Sequence, residues 1–190
     1  VRRLLPALAL WPLLLALALA SPAAPAQAQT VPAPEGFRMG DYRAPTPAEL
    51  PGAATLDTPG AASLWRQGGA AWFDVLPAAR RPEGLPEGSL WRPTPRLGVP
   101  GSLWLPEAGR GRLDPALESW FRGALDRATG GDRGRPVVFY CRADCWMSWN
   151  AARRALGWGW RDVRWYRDGT DGWEAAGLPT EVLQPAPGMP

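Results

Sequence analysis

After residue 60 the apolar positions follow two periods, short strand-like runs and longer stretches at helical spacing. Val137 to Tyr140 is a β-branched and aromatic run opened by Pro136, which predicts a buried strand ending at Cys141. Ala70 to Val75 predicts another strand, with Asp74 at its carboxyl end, and Gly101 to Leu105 and Val163 to Tyr166 predict two more. Asp114 and Pro115 read as an N-cap and first helical residue. Leu117, Trp120, Phe121, Ala124, Leu125 and Ala128 then keep helical spacing until Gly130 and Gly131. A further helix is expected from Trp149, with Ala152, Ala155 and Leu156 on one face, Arg153 and Arg154 pointing away, and Gly157 and Gly159 as the stop. Short helices over Ala61 to Gln67 and Trp173 to Ala176 complete the set. Strands alternating with helices predict an α/β fold with a central, mainly parallel sheet flanked by helices. In such sheets chemistry gathers at the carboxyl ends of strands, where Asp74, Cys141 and Asp168 fall.

The first 60 residues lack that pattern. Residues 1–28 have Arg2 and Arg3, then an uncharged apolar run from Leu4 to Ala20, then a small-residue site at Ala26-Gln27-Ala28, which reads as a cleaved secretory signal peptide. The apolar run of 17 residues is broken by Pro6 and Pro12. It falls short of the ~20 residues that span a bilayer, so no stable membrane span is expected after cleavage. Residues 29–60 are rich in Pro, Ala and Gly and read as an extended N-terminal arm that packs through Phe37 and Tyr42. Residues 61–182 then form one domain, and 183–190 a tail. Within the domain, Pro77 to Pro100 is a long proline- and Arg-rich excursion. It leaves the Asp74 strand end and must return for the next strand, so it is expected to wall the face where Cys141 emerges.

Composition removes several chemistries. The chain has no histidine and two cysteines, which excludes a Ser/His/Asp triad, a Cys/His pair and a four-ligand zinc site. No cofactor or metal is expected. All 21 basic residues are Arg, and loss of residues 1–28 leaves 19 Arg against 18 acids. So weak a positive charge gives no reason to expect nucleic-acid binding. Export would place both thiols in an oxidising compartment, the periplasm.

The candidate chemistry therefore rests on Cys141 and Cys145. A cysteine at the end of a strand, followed by a tight loop into a helix, faces unpaired backbone N–H groups and the positive end of the helix dipole, which favours thiolate. The intervening and following residues, Arg142, Ala143, Asp144, Trp146, Met147 and Ser148, form the expected substrate loop. Asp144 and Ser148 compete as helix caps, and Asn150 is expected to satisfy backbone groups behind the loop. Asp74 is expected to anchor a neighbouring turn or Arg, and Asp168 and Asp171 to serve a Gly-rich turn.

The order WFDV, LGVPGSLWLP, VVFYC and VRWYRDGTDGWEAAGLP resembles the rhodanese-like domain over roughly Leu64 to Pro179. GFRMGDYRAPTPAELPGA, VPGSLWLPEAGRG and CRADCWMSWNAARRA further resemble an exported rhodanese-like family named for PQQ-dependent catabolism and a CXXCW motif. The resemblance implies a rhodanese-like fold, Cys141 in the place of the persulfide-bearing cysteine, and a periplasmic accessory role in quinoprotein alcohol oxidation. The chain departs from many rhodaneses in carrying Asp144, Cys145 and Trp146 in this loop, and an acid there opposes thiosulfate as donor. Three kinds of function stand: Cys141 carries sulfur as a nucleophile, Cys141 and Cys145 cycle between dithiol and disulfide with Cys145 resolving whatever forms on Cys141, or the pair is a static disulfide or inert thiols within a partner-binding module. The corresponding partners are a small sulfur or thiol substrate, or a protein of the periplasmic quinoprotein system.

Overall fold

The computed structural model describes residues 31–190, so the expected signal peptide lies outside the described residues. In chain order the elements are β1 (Ala54–Leu56), α1 (Thr58–Gln67), β2 (Ala71–Asp74), β3 (Arg96–Gly98), β4 (Leu103–Trp104), α2 (Pro115–Thr129), β5 (Val137–Tyr140), α3 (Trp146–Gly157), β6 (Val163–Tyr166), α4 (Gly169–Ala175) and β7 (Glu181–Leu183). Five strands form one parallel sheet in the order β1-β6-β5-β2-β4. β3 and β7 pair separately as a small antiparallel ribbon.

The two-residue period of the strands divides the core. Val137, Phe139 and Phe73 face α2 and α3, while Val138, Tyr140 and Trp72 face α1 and α4. Phe139 stacks on Phe73 at 5.3 Å between ring centroids and meets Phe121 of α2 edge-on at 6.0 Å. Each such aromatic contributes about 1.5–3 kcal/mol by leaving water. The α2 signals act as expected: the Asp114 carboxylate accepts from Leu117 N at 2.9 Å, and Gly130 ends the helix in the left-handed region at φ 64°.

Several expectations are corrected. The stretch read as the end of the arm supplies β1 at the sheet edge and the start of α1, whose N-cap is Asp57 accepting from Gly60 N at 2.8 Å. The strand expected over Gly101 to Leu105 shrinks to Leu103–Trp104. Helix α3 begins at Trp146, three residues before the expected Trp149. Arg154 is buried rather than pointing away: it donates to Gly111 O at 2.9 Å, and its guanidinium lies 4.2 Å from the Phe37 ring centroid. The arm therefore covers a helix face that would otherwise meet solvent. Tyr42 joins the same layer, its hydroxyl accepting from Gly111 N and donating to Met39 O, both at 3.0 Å. The last residues also dock, with Ala186 N donating to Trp104 O and Trp120 Nε1 to Pro187 O. Among the described residues no helix is long and apolar enough to cross a membrane.

Candidate functional site

Parallel pairing of β2 with β5 sets Asp74 beside Tyr140, one residue before Cys141. Cys141 then leads into a short loop that reaches α3 at Trp146. Asp144 turns this loop with a left-handed φ of 49°, a conformation Asp tolerates better than bulky residues, and its side chain is exposed. Cys141 and Cys145 are joined by a disulfide with their Cα atoms 6.3 Å apart. That separation lies within the ~4.4–6.8 Å a bridge requires.

The backbone on either side of the bridge is held from three directions. Cys141 O accepts from Thr170 N at 3.1 Å, Thr170 Oγ1 at 3.2 Å and Arg96 Nη2 at 3.3 Å. Arg96 also donates to the Asp74 carboxylate at 2.6 Å, and Leu76 N donates to the other Asp74 oxygen at 2.9 Å. Asp74 has no exposed surface, and burial pushes its carboxyl up to about 6 against the downward pull of Arg96 and the Leu76 N–H. From α4, Asp171 accepts from Arg142 Nε at 3.1 Å and from Ala143 N at 3.2 Å. From the arm, Ala44 N donates to Asp144 O, Tyr42 O accepts from Trp146 N, and Arg43 Nη1 donates to Ala143 O.

No side chain caps α3: Cys145 occupies the N-cap position without a capping hydrogen bond. Neither expected cap serves. Asp144 points to solvent, and Ser148 lies inside the helix, donating to Cys145 O at 3.1 Å and accepting from Trp165 Nε1 at 3.0 Å. Asn150 behaves as expected, its amide donating to Arg38 O and Gly109 O while its oxygen accepts from Arg38 N.

A cavity of about 540 Å³ opens over the loop, bounded by Tyr42 and Arg43 of the arm, Leu76, Trp104, Arg142, Cys145, Met147, and Thr170, Asp171 and Glu174 of α4. Of the expected loop residues it gathers Arg142, Cys145 and Met147. Trp146 instead lines a separate cavity of about 380 Å³ under the arm, its indole donating to Pro45 O. Ala143, Asp144 and Ser148 shape the loop without lining the large cavity. The excursion contributes its two ends, Pro77 and Ala79 on departure and Thr94, Pro95 and Arg96 on return. Its middle is largely exposed, with Arg80 reaching Glu107 at 3.8 Å. Arg96, Thr170 and Asp171 were not singled out as site residues by the sequence. The one signal for Arg96 was the expectation that Asp74 would anchor an Arg.

A parallel α/β sheet with a cysteine loop between a central strand and a helix defines a class of domain. The chain belongs to the family whose description is "Rhodanese-like domain", matched over residues 64–176. No curated protein sequence matches the chain. Among solved structures it is similar to a thiosulfate sulfurtransferase from Pseudomonas aeruginosa, at 21% identity and a TM-score of 0.46 over 70% of this chain. The match spans 21% of that enzyme's length. It is also similar to a polysulfide-sulfur transferase from Wolinella succinogenes, at 18% identity and a TM-score of 0.44, covering 70% of this chain and 80% of that one. A human single-domain sulfurtransferase is similar at 25% identity and a TM-score of 0.39, covering 65% and 96%.

Proposed function

We propose that the protein is an exported member of this family in which a small thiol or sulfur substrate enters the cavity and exchanges with the Cys141–Cys145 pair. The observation that carries this reading is the bridge itself, which meets a cavity of about 540 Å³ through Cys145. The cysteines are four residues apart, so the bridge closes a tiny ring. Chain entropy gives such a ring about 2 kcal/mol, against about 4.7 for a 100-residue loop. A bridge with so small a structural return suits reversible use. Incubating the folded, oxidised protein with millimolar thiol and then alkylating tests the reading by intact mass: opening within minutes supports it, and opening only in denaturant sinks it.

Sulfur transfer is the second form of the same chemistry. It is supported by family membership and by the start of α3, which has no side-chain cap, so that backbone N–H groups beyond Trp146 N, itself taken by Tyr42 O, can hold an anionic sulfur. The reduced protein would accept a sulfane sulfur and pass it on, which thiosulfate or a thiosulfonate followed by cyanide reads out as thiocyanate. The resemblance to the family of PQQ-dependent catabolism supports a periplasmic place beside quinoprotein alcohol oxidation. A deletion strain should then grow poorly on alcohols, rescued by the parent gene and not by the double Cys→Ser variant.

A further inference from the structure

The two sulfurs of the bridge are not equivalent toward a visitor. Cys145 lines the large cavity, flanked there by Arg142 and Met147, whereas Cys141 does not. Cys141 has no exposed surface and Cys145 keeps 2%. Cys141 is also fixed at the end of β5, its carbonyl gripped by Thr170 and Arg96. Cys145 stands one residue before a 12-residue helix with no side-chain cap, so the positive end of that helix favours Cys145 as a thiolate when it later departs from a mixed disulfide.

We propose that Cys145, and not the cysteine at the rhodanese position, is the sulfur that an incoming thiolate attacks, and that Cys141 is the buried leaving group. The inference rests on the exchange reading above. In the first step a low-molecular-weight thiolate RS⁻ forms an S–S bond to Cys145 Sγ as the Cys145–Cys141 bond breaks. The electron pair departs on Cys141 Sγ as thiolate, so one disulfide is exchanged for another with no net oxidation. The R group occupies the cavity. In the second step another RS⁻ attacks the sulfur of the bound R group, releasing RSSR and leaving Cys145 as a thiolate at the start of α3; the two electrons taken from the two thiols reside in the reduced pair. The reverse sequence runs the same bonds backwards, with Cys145 as the entering nucleophile.

Glutathione is the probe. The oxidised parent protein, mixed with glutathione under native conditions and quenched in acid, is digested without thiol and the adduct located by tandem mass spectrometry. The adduct is expected on Cys145 in roughly tenfold or greater excess over Cys141, since access sets which sulfur is attacked. In parallel, reduced Cys141→Ser should take up glutathione from its disulfide roughly tenfold or more faster than Cys145→Ser. Near-ultraviolet circular dichroism verifies that both variants keep the parent fold, and the parent mapping stands if either does not. An adduct mainly on Cys141, or equal rates in the two variants, overturns the assignment while leaving exchange intact. No adduct on either cysteine of the folded parent overturns both.

Discussion

Replacing Arg96 with Met tests how the strand end beneath the cysteine loop is held. Met keeps much of the apolar stem and removes the guanidinium, with its contacts of 2.6 Å to Asp74 and 3.3 Å to Cys141 O. Breaking a buried ion pair costs about 3–5 kcal/mol, because the remaining charge is left without a partner. Asp74 can relieve that cost by taking a proton, and this gives the effect a pH signature. In the parent, the Asp74 pKa of about 6 exceeds the ordinary 3.8, so the folded state holds the proton more tightly than the unfolded chain. Its contribution to stability is present at low pH and is lost as pH rises through about 6. In the variant the folded pKa climbs further, and the loss continues above pH 6 at up to about 1.4 kcal/mol per pH unit. Urea denaturation of the oxidised proteins should therefore show a gap of about 1–2 kcal/mol near pH 5, from lost hydrogen bonds alone, widening to about 4 near pH 8. A gap that is constant with pH, or that narrows as pH rises, would refute the assignment of Asp74 and Arg96 as a buried pair with a raised carboxyl.

Other substitutions probe the arm and the α4 contact. Asn150→Ala removes three hydrogen bonds that tie α3 to Arg38 and Gly109. It should cost about 3 kcal/mol and raise proteolysis of the arm, as urea denaturation and limited digestion would show. Gly169 sits at φ 55°, and a Cβ there would lie 2.7 Å from Cys141 O and 2.8 Å from Arg142 Cα. Gly169→Ala should therefore displace the start of α4 from the loop, lowering stability by about 2 kcal/mol or more and altering the rate at which thiols open the bridge. Unchanged stability and rate would show that the α4 contact does not hold the loop.

Much of the frame was legible because its residues serve one structural role each. VVFY could be read as a buried strand because all four side chains are apolar or aromatic, and α2 because Asp114-Pro115 and Gly130 bracket a clean helical period. The start of α3 was hidden for the opposite reason. Trp146 through Ala152 are all buried, so the stretch has no polar face to reveal its period, and Cys145 gives no side-chain capping signal. Arg154 was misread because amphipathic logic assigns Arg to solvent, whereas Phe37 and the Gly111 carbonyl cover it from distant parts of the chain. Strands β1, β3 and β7 have three residues each, too few to show alternation. Of the site, both cysteines were plain, but Arg96 and Asp171 reach the loop across 45 and 28 residues of sequence, and no local pattern encodes such pairings.

The claim that the bridge is made to open is tested most directly by its equilibrium with glutathione. Folded protein equilibrated across a series of reduced-to-oxidised glutathione ratios, then alkylated and weighed, gives the midpoint of the Cys141–Cys145 couple. Exchange chemistry predicts a midpoint near about −200 mV or higher, within reach of small-molecule thiols. A bridge that stays closed to potentials below about −300 mV would behave as a structural disulfide and contradict the account.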